Sequence, residues 1–208
     1  MSSQPAGAED PASAVGPTWW TPSGEQPTPA PATWPGLLVD RDGTLTVERS
    51  HLADPGDLLP IEGAQAAMSR AAEAGLRIGV VTNQSAIARG VVDEAGMRRL
   101  HDRLHELFPR IEIILHCPHH PDAGCPCRKP KPQMLTTAMT VLGVDPGHCA
   151  YVGDHAKDVL AARAAGIDGY LVLTGHGRHH VAAATYLKSP IVADLAAAVD
   201  RHLATLDG

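Results

Sequence analysis

The chain has 208 residues, of which 44% are hydrophobic, 19% are charged and 3% are aromatic, and its formal net charge is −6. This length suffices for one domain with a substantial core. The 17 Lys and Arg residues are scattered and outnumbered by 23 Asp and Glu residues, which argues against nucleic acid as a partner. No apolar run approaches the ~20 residues that cross a bilayer, so a membrane partner is not expected either.

The first 35 residues differ in composition from the rest of the chain. They contain eight of the 18 prolines, no Lys or Arg, and the tryptophans Trp19, Trp20 and Trp34. Such a segment buries too little apolar surface to offset the entropy of ordering, so we expect residues 1–35 to be a disordered Pro- and Ala-rich tail whose removal leaves stability unchanged. The tryptophans either fold loosely onto the domain surface or form a docking peptide. Signal and transit features are absent, which favours the cytoplasm.

Residues 36–208 alternate between apolar strand runs and helices with one apolar face. In chain order the patterns predict a strand at 37–39, a helix at 63–75, a strand at 76–81, a helix at 93–107 with Asp93 as its N-cap, and a strand at 111–115. They continue with a helix at 132–142, a strand at 149–152, a helix at 156–165, strands at 170–173 and 191–192, and a closing helix at 194–206. Helices between strands predict right-handed βαβ units in a doubly wound, mostly parallel, Rossmann-like α/β sheet.

Polar residues follow three of the predicted strands. Asp40, Thr82 and Asp154 each stand where an apolar run stops, and the carboxyl ends of parallel strands share one edge of a sheet. Each residue alone could cap a helix, but the set indicates a site. Asp40 and Asp42 stand at i and i+2, where two carboxylates repel unless a cation lies between them. Mg²⁺ is the natural cation, because it takes few carboxylates and keeps positions for phosphate oxygens.

Further charged residues point to phosphoryl transfer. Asp158 follows Asp154 by one helical turn, and Lys129 and Lys131 add positive charge in the preceding loop. The chain has neither a P-loop motif nor a G-x-G-x-x-G motif, which excludes P-loop kinases and ordinary dinucleotide enzymes. An attacking aspartate would form an acyl-phosphate and split hydrolysis into two steps. The alternative, a catalytically silent phosphate-binding module, is disfavoured because the acids and Lys129 are intact.

Four motifs resemble those of the haloacid dehalogenase superfamily of aspartate phosphatases, in the same order and on the expected elements: DRDGT at 40–44, TNQ at 82–84, RKPKP at 128–132 and GDHAKD at 153–158. The resemblance implies that Asp40 is the nucleophile and that Asp42 protonates the leaving alkoxide and later activates water. It implies that Thr82 and Lys129 bind the transferring phosphoryl group.

The same resemblance implies the metal ligands. Mg²⁺ would be held by the Asp40 carboxylate, the Asp42 main-chain carbonyl and Asp154, with Asp158 orienting Lys129. The intervals between the first three motifs are largely filled by predicted helices and strands. We therefore expect an open site without a separate cap domain.

A Cys/His segment at 117–127 has the spacing of a metal site. Cys117, His119, Cys125 and Cys127 read C-x-H-x5-C-x-C, which suits a closed, structural Zn²⁺ site in a reducing compartment. The alternatives are free cysteines or a disulfide between Cys117 and Cys125. His120 could replace His119 as the ligand.

This zinc loop before RKPKP resembles two branches of the superfamily, the heptose bisphosphate phosphatases and the histidinol phosphatases. TNQSAIARG at 82–90 favours the heptose branch, from whose motif it departs only at Ala86. That branch implies a small phosphorylated sugar as substrate, loss of its 7-phosphate, and a monomer. It implies substrate contacts from Asn83, Gln84, Ser85, Arg128 and His155. Histidinol phosphate or another small phosphomonoester remains the alternative substrate.

The remaining Cys and His residues receive no functional role. Cys149 lies in an apolar run and is expected to be a small core residue. His101 and His105 are one turn apart on a predicted helix and could bind metal, but a solvated face is the expected outcome. Histidines 176, 179 and 180 lie in a Gly-rich loop that could reach a ligand.

Overall fold

The structure is a computed structural model that describes residues 16–49 and 52–207. Seven strands form one sheet: β1 (Thr18–Trp20), β2 (Trp34–Val39), β3 (Arg77–Asn83), β4 (Ile113–Cys117), β5 (Val144–Gly153), β6 (Asp168–Val172) and β7 (Ile191–Val192). The helices are α1 (Ala64–Glu73), α2 (Glu94–Leu107), α3 (Gln133–Leu142), α4 (Ala156–Ala165), α5 (Val181–Tyr186) and α6 (Leu195–Leu206).

The strand order is β1-β4-β3-β2-β5-β6-β7, and only the pairing of β1 with β4 is antiparallel. The predicted doubly wound, mostly parallel sheet is therefore confirmed. The chain builds outward from β2 in both directions, through β3 and β4 on one side and β5 to β7 on the other. Such a switch point opens a crevice at the carboxyl ends of the two central strands, β2 and β5.

Helices cover both faces of the sheet. Apolar residues of α1, α2 and α6 share one core with alternate residues of β2 and β3, and those of α3 and α4 share a second core on the other face. In α2 the fully buried residues Met97, Leu100 and Leu104 recur at helical spacing, and Asp93 caps the helix by accepting from Gly96 N at 2.6 Å. The two packed layers hold the strand ends rigidly at the crevice.

The segment around Trp20 belongs to the fold, contrary to the expectation of a tail. Trp20 is 6% exposed, and its indole Nε1 donates to Asp102 Oδ1 at 2.8 Å. The segment that follows crosses to the start of β2, where Ala30 N donates to Thr140 O at 3.0 Å. The expectation is therefore wrong for this part, because an edge strand and an apolar surface were available to it. Residues 1–15 of the expected tail lie outside the described residues.

His101 is also placed differently from the expectation. It is 1% exposed, and its Nε2 lies 3.1 Å from Nδ1 of His116 on β4. The expected solvated face is wrong for His101 because its Nε2 pairs with His116 on β4, a contact that helical spacing alone cannot show. Burial, with the nearby charge of Arg41, lowers the pKa of His116 to about 4, so this pair stays neutral near pH 7.

The segments that connect strands to helices at the crevice contain little secondary structure of their own. Between β2 and α1 the described residues form only a 3-10 turn at Pro55–Asp57, and between β3 and α2 they form neither helix nor strand. Within the described residues the fold therefore has no separate cap domain, as expected. A search of the same residues finds no helix that is both long and apolar enough to cross a membrane.

Candidate active site

The side chains that follow β2 and β5 meet the end of β3 at one edge of the sheet. Asp40 directly follows β2, Thr82 is the penultimate residue of β3, and Asp154 directly follows β5. All three line a cavity of about 260 Å³ whose other lining residues include Asp42, Glu48, Asn83, Arg128, Lys129, His155, Lys157, Asp158 and His176. The structure thus brings together the acids and the hydroxyl predicted to share this edge.

A larger cavity lies elsewhere. It measures about 840 Å³ and lies at the amino ends of β3 and β4, beneath the segment 21–28. It contains none of the clustered acids, and its Arg77 is paired with Glu112. Chemistry therefore identifies the smaller cavity as the candidate active site.

Lys129 is the buried centre of the candidate site. Its side chain is 3% exposed, and Nζ lies 3.0 Å from Asp40 Oδ1 and 2.7 Å from Asp158 Oδ1. Nζ also donates to Val81 O at 3.0 Å and to the hydroxyl of Tyr151 at 2.6 Å. Sequence reasoning missed Tyr151, because a tyrosine within an apolar strand run looks like an ordinary core residue.

Asn83 fixes the main chain of Lys129. The Asn83 amide donates from Nδ2 to Lys129 O at 3.2 Å and accepts at Oδ1 from Lys129 N at 3.1 Å. This reciprocal pair ties the loop before α3 to the end of β3. The predicted contact of Asn83 with substrate stays a prediction.

Burial and like charges set the pKa values of the acids. Burial raises the pKa of Asp40 to about 8 against the opposing charge of Lys129, and burial raises the pKa of Asp154 to about 6. Burial by itself would lower the pKa of Lys129, but Asp158 and Asp40 outweigh it and raise that pKa. Three carboxyl groups around one ammonium group leave an excess of negative charge, which favours an additional cation.

The oxygens available to such a cation belong to two acids. Carboxylate oxygens of Asp40, Asp154 and Asp158 lie within 4.8 Å of one another. Asp158 is occupied, since Oδ1 meets Lys129 and Oδ2 accepts from His155 N at 3.0 Å. Asp40 Oδ2 and Asp154 Oδ1 accept no hydrogen bond from any residue in the described ranges. This set of hard oxygen donors fits Mg²⁺, and the assignment of Asp40 and Asp154 as its ligands stays a prediction.

Gly43 allows the two strands that carry these acids to approach each other. Its φ is +75°, and a Cβ at this position would clash with the carboxylate of Asp154. The hydroxyl of Thr174 donates to Gly43 O at 2.6 Å, which fastens the turn to the segment that follows β6. The glycine of DRDGT thus serves both the turn and the metal-ligand geometry.

Asp42 lies beside Thr82, and two donors hold its carboxylate. Arg41 Nη2 donates to Asp42 Oδ2 at 2.7 Å, and Gln84 Nε2 donates to the same oxygen at 2.9 Å. Gln84 Nε2 also donates to Thr82 Oγ1 at 2.9 Å. The amide predicted to contact substrate is therefore engaged with two residues of the site.

The Cys/His segment forms a compact cluster. Cys117 Sγ lies 3.6 Å from Cys125 Sγ and 3.5 Å from His119 Nδ1, and Cys127 Sγ lies 3.7 Å from Cys125 Sγ and 3.3 Å from His119 Nδ1. Tetrahedral zinc with bonds of about 2.3 Å to sulfur and about 2.0 Å to nitrogen needs ligand separations of roughly 3.5–3.8 Å. The four ligand atoms therefore fit Zn²⁺, and all four cysteines of the chain are free of disulfides.

The alternatives for this segment are less consistent with the geometry. The sulfurs of Cys117 and Cys125 are much farther apart than the ~2.05 Å of a disulfide. His120 turns away from the cluster, and its Nδ1 lies 3.3 Å from Asp122 Oδ2. The contact between Cys117 and Cys127 lowers the pKa of the first thiol and raises the pKa of the second.

Of the charged and polar residues near the cavity, some line it and others contact the Cys/His segment or a neighbouring cavity. Arg128 lines the cavity and donates from Nη1 to His119 O at 3.3 Å, while Lys131 donates to the carbonyls of Gly124 and Cys125 and so braces the zinc loop. Ser85 lines a neighbouring cavity of about 220 Å³ that shares Asp42 with the acid site.

His155 has a structural role in addition to lining the cavity. It caps α4, with Nδ1 accepting from Lys157 N at 3.1 Å, and its ring stacks on His180 with 3.7 Å between centroids. Burial lowers the pKa of His155 to about 4, so it adds no charge to the site near pH 7.

Comparisons with known proteins agree with this site. A family model described as HAD-hydrolase-like matches residues 126–198. The D-glycero-beta-D-manno-heptose-1,7-bisphosphate 7-phosphatase of Pseudomonas aeruginosa is 40% identical over 146 residues, which span 68% of this chain and 82% of that enzyme. The enzyme of the same name from Bordetella bronchiseptica is 34% identical over 151 residues, 70% of this chain and 84% of that enzyme.

Solved structures show the same likeness. The D,D-heptose 1,7-bisphosphate phosphatase of B. bronchiseptica, solved in complex with magnesium and phosphate, matches with a TM-score of 0.71 and 32% identity and covers 82% of this chain and 99% of that chain. The D,D-heptose 1,7-bisphosphate phosphatase of Burkholderia thailandensis matches with a TM-score of 0.62 and 28% identity, over 80% and 97% of the two chains. With its buried acids and lysine at the switch point, the chain belongs to the haloacid dehalogenase-like hydrolases and is a phosphatase of that family.

Proposed function

We propose that the protein removes the 7-phosphate of D-glycero-D-manno-heptose 1,7-bisphosphate through a phosphorylated Asp40. The observation that carries this proposal is the buried Lys129 ammonium between Asp40 and Asp158, at 3.0 Å and 2.7 Å, beside Asp154. Such a site offers one carboxylate to phosphorus and fixed positive charge to the phosphoryl oxygens. The substrate itself is inferred from the names of the relatives that share most of the chain.

The first step transfers the phosphoryl group to the enzyme. A carboxylate oxygen of Asp40 attacks phosphorus, the bond between phosphorus and the C7 oxygen breaks, and Asp42 donates a proton to that oxygen. Thr82 and Lys129 bind the phosphoryl oxygens during the transfer. Asp40, Asp154 and the main-chain carbonyl of Asp42 would hold Mg²⁺, which when bound would supply further positive charge to the phosphoryl oxygens.

The second step returns the enzyme to its starting state. A water molecule gives a proton to Asp42 and attacks phosphorus, the bond from phosphorus to Asp40 breaks, and inorganic phosphate leaves. Asp42 ends protonated and Asp40 ends ionised, so each carboxyl group is ready for the next turnover.

The zinc cluster would hold the substrate side of the site. Its four ligands, Cys117, His119, Cys125 and Cys127, leave no coordination position for water, so a structural role is proposed. Cys127 immediately precedes Arg128, which lines the cavity and is the proposed contact for the sugar or its second phosphate.

A panel of phosphate-release assays tests the proposed substrate. With Mg²⁺ present, kcat/KM should be highest for the heptose 1,7-bisphosphate, measured for both anomers, and the product should keep its 1-phosphate. Histidinol phosphate, fructose 1,6-bisphosphate and nucleotides are the alternative substrates whose kcat/KM values are compared with it. A higher kcat/KM for histidinol phosphate would overturn the proposed substrate and leave the phosphatase chemistry intact.

A further inference from the structure

Among the described residues, Arg41 is the one buried arginine that contacts an acid of the proposed mechanism. Its Nε donates to Asp42 Oδ1 at 3.0 Å and its Nη2 donates to Asp42 Oδ2 at 2.7 Å, so the guanidinium makes a bidentate contact with the carboxylate. This two-bonded fork fixes the plane of the carboxylate as well as its distance. Lysine, with a single ammonium group, cannot reproduce that geometry.

The fork does not act alone. Gln84 Nε2 donates to Asp42 Oδ2 and to Thr82 Oγ1, both at 2.9 Å, and the Gln84 side chain is itself buried. One amide group thus joins the acid to the hydroxyl proposed to bind the phosphoryl group. Arg41 sets the orientation of Asp42, and Gln84 links Asp42 to Thr82.

Arg41 has no competing partner in the part of the chain that the structure describes. The residue is 2% exposed, Asp42 is its only carboxylate contact there, and its Nη1 meets no hydrogen-bond acceptor. Its carbonyl accepts from Leu45 N and Thr46 N, both at 2.9 Å, so the main chain is fixed as well. Buried ion pairs contribute little to stability compared with apolar side chains, so stability alone does not account for an arginine here.

We propose that Arg41 is a positioning residue that, together with Gln84, holds the Asp42 carboxyl group for proton transfer to the leaving oxygen. This inference rests on the proposed function, since it assumes that Asp42 is the acid. It assigns a role to the second residue of DRDGT, which the sequence motif alone leaves without one.

Substrates whose leaving groups differ in basicity can test this inference. A sugar alkoxide is a strong base and needs a proton as its bond to phosphorus breaks, whereas 4-nitrophenolate leaves readily without one. The value of kcat/KM reports the steps up to release of that group, so the later hydrolysis of the phosphorylated enzyme does not enter it. Displacement of Asp42 should therefore lower kcat/KM for the sugar bisphosphate and leave kcat/KM for 4-nitrophenyl phosphate nearly unchanged.

The experiment compares Arg41→Lys and Arg41→Met with the wild type on both substrates, alone and combined with Asp42→Asn. For Arg41→Lys, we expect kcat/KM on the sugar bisphosphate to fall on the order of 100-fold, the loss typical of a misplaced catalytic group. We expect little change on 4-nitrophenyl phosphate and no further loss in the Asp42→Asn background. The matched control is Arg70→Lys, which changes an exposed arginine paired with Asp200 at 2.8 Å.

Equal losses on the two substrates, unchanged kinetics, or a loss that persists in the Asp42→Asn background would each overturn the inference. If Arg41→Met does not fold, Arg41→Lys alone provides the ratio of kcat/KM between the two substrates. Failure of the proposed function is visible separately, because the wild type would not hydrolyse the sugar bisphosphate or Asp40→Asn would remain active.

Discussion

Lys129 keeps its charge although its side chain is almost completely buried. Burial alone would lower its pKa, but the carboxylates of Asp158 and Asp40 raise it above the usual value. The hydroxyl of Tyr151 and the carbonyl of Val81 occupy the remaining directions around Nζ. The ammonium is therefore fixed in place before substrate arrives, so little reorganisation is needed when charge develops on the phosphoryl group.

Asp40→Asn should abolish turnover and leave the fold intact. The amide is nearly the same size as the carboxylate but cannot attack phosphorus, and no other carboxylate replaces its contact with Lys129. Phosphate release and the thermal midpoint should be measured together. Asp207→Asn, at an exposed position, serves as the control and should behave as the wild type. Near-normal turnover by a folded Asp40→Asn protein would contradict the covalent route.

Tyr151→Phe should destabilise the protein by about 1–2 kcal/mol, because it removes a buried hydroxyl that lies 2.6 Å from Lys129 Nζ and 2.7 Å from Val81 O. Urea denaturation measures the loss. The matched control is Tyr186→Phe, since Tyr186 is 87% exposed and its change should fall within about 0.5 kcal/mol. Equal effects of the two variants would mean that the Tyr151 hydroxyl contributes nothing measurable.

At the scale of elements, the Cys/His segment 117–127 connects β4 to the loop that carries Lys129. Cys117 ends β4, while Cys127 stands two residues before Lys129. Lys131 closes the loop by donating to the carbonyls of Gly124 and Cys125. A metal held by this loop would therefore set the position of Arg128 without touching the reacting atoms.

Cys125→Ser should release about one zinc per chain and should weaken substrate binding and turnover. The larger loss is expected on a substrate whose second phosphate needs Arg128, and added Mg²⁺ should not restore it. Metal analysis and steady-state kinetics measure the two effects. Cys149→Ala is the control, because Cys149 is buried on β5 outside the loop and its loss should leave the zinc in place. Unchanged kinetics after zinc loss would refute the structural role.

The sequence predicted those elements whose pattern is local. The parallel strands β2 to β6 and five helices follow from apolar periodicity, and the site follows because Asp40 and Asp154 stand where strand runs stop. The sequence did not predict β1 or α5, since a three-residue strand within a Pro-rich segment and a six-residue helix carry too little periodicity. Nor did it predict the fork from Arg41, which depends on burial and on a bend of the chain that no residue pattern records.

At the scale of the whole molecule, burying several acids at one edge couples stability to pH. In the metal-free protein the pKa of Asp40 is raised from 3.8 to about 8 and that of Asp154 to about 6. Between the ordinary and the raised values the folded state binds more protons than the unfolded state. The free energy of unfolding should therefore fall as pH rises through this window.

Mg²⁺ should raise the thermal midpoint more at about pH 8 than at about pH 5, because protons compete with the cation for Asp40 and Asp154 at the lower pH. Differential scanning calorimetry with and without added Mg²⁺ measures the effect and leaves the zinc undisturbed. Asp154→Asn is expected to remove most of the Mg²⁺-dependent shift. The same shift at both pH values would mean that the buried acids do not bind the ion.

The segment before β2 also contributes to the stability of the whole molecule. Thr18–Trp20 pairs with β4 and so covers what would otherwise be an exposed edge of the sheet, a position that invites pairing with other chains. The chain then passes to the start of β2, with Thr33 N donating to Gly143 O at 2.9 Å. This segment thus ties an edge of the sheet to its centre, so its removal should cost stability rather than leave it unchanged.

Trp20→Ala provides the sharpest test of that role. Trp20 is 6% exposed, packs in the core and lies against His105 with 5.3 Å between ring centroids, so truncation should cost about 3 kcal/mol. Trp34→Ala removes the same side chain from a position that is 51% exposed, and it should cost less than about 1 kcal/mol. Urea denaturation of both variants measures the difference. Because the two substitutions are chemically identical, a similar loss in both, or none for Trp20→Ala, would mean that the segment does not pack on the sheet in solution.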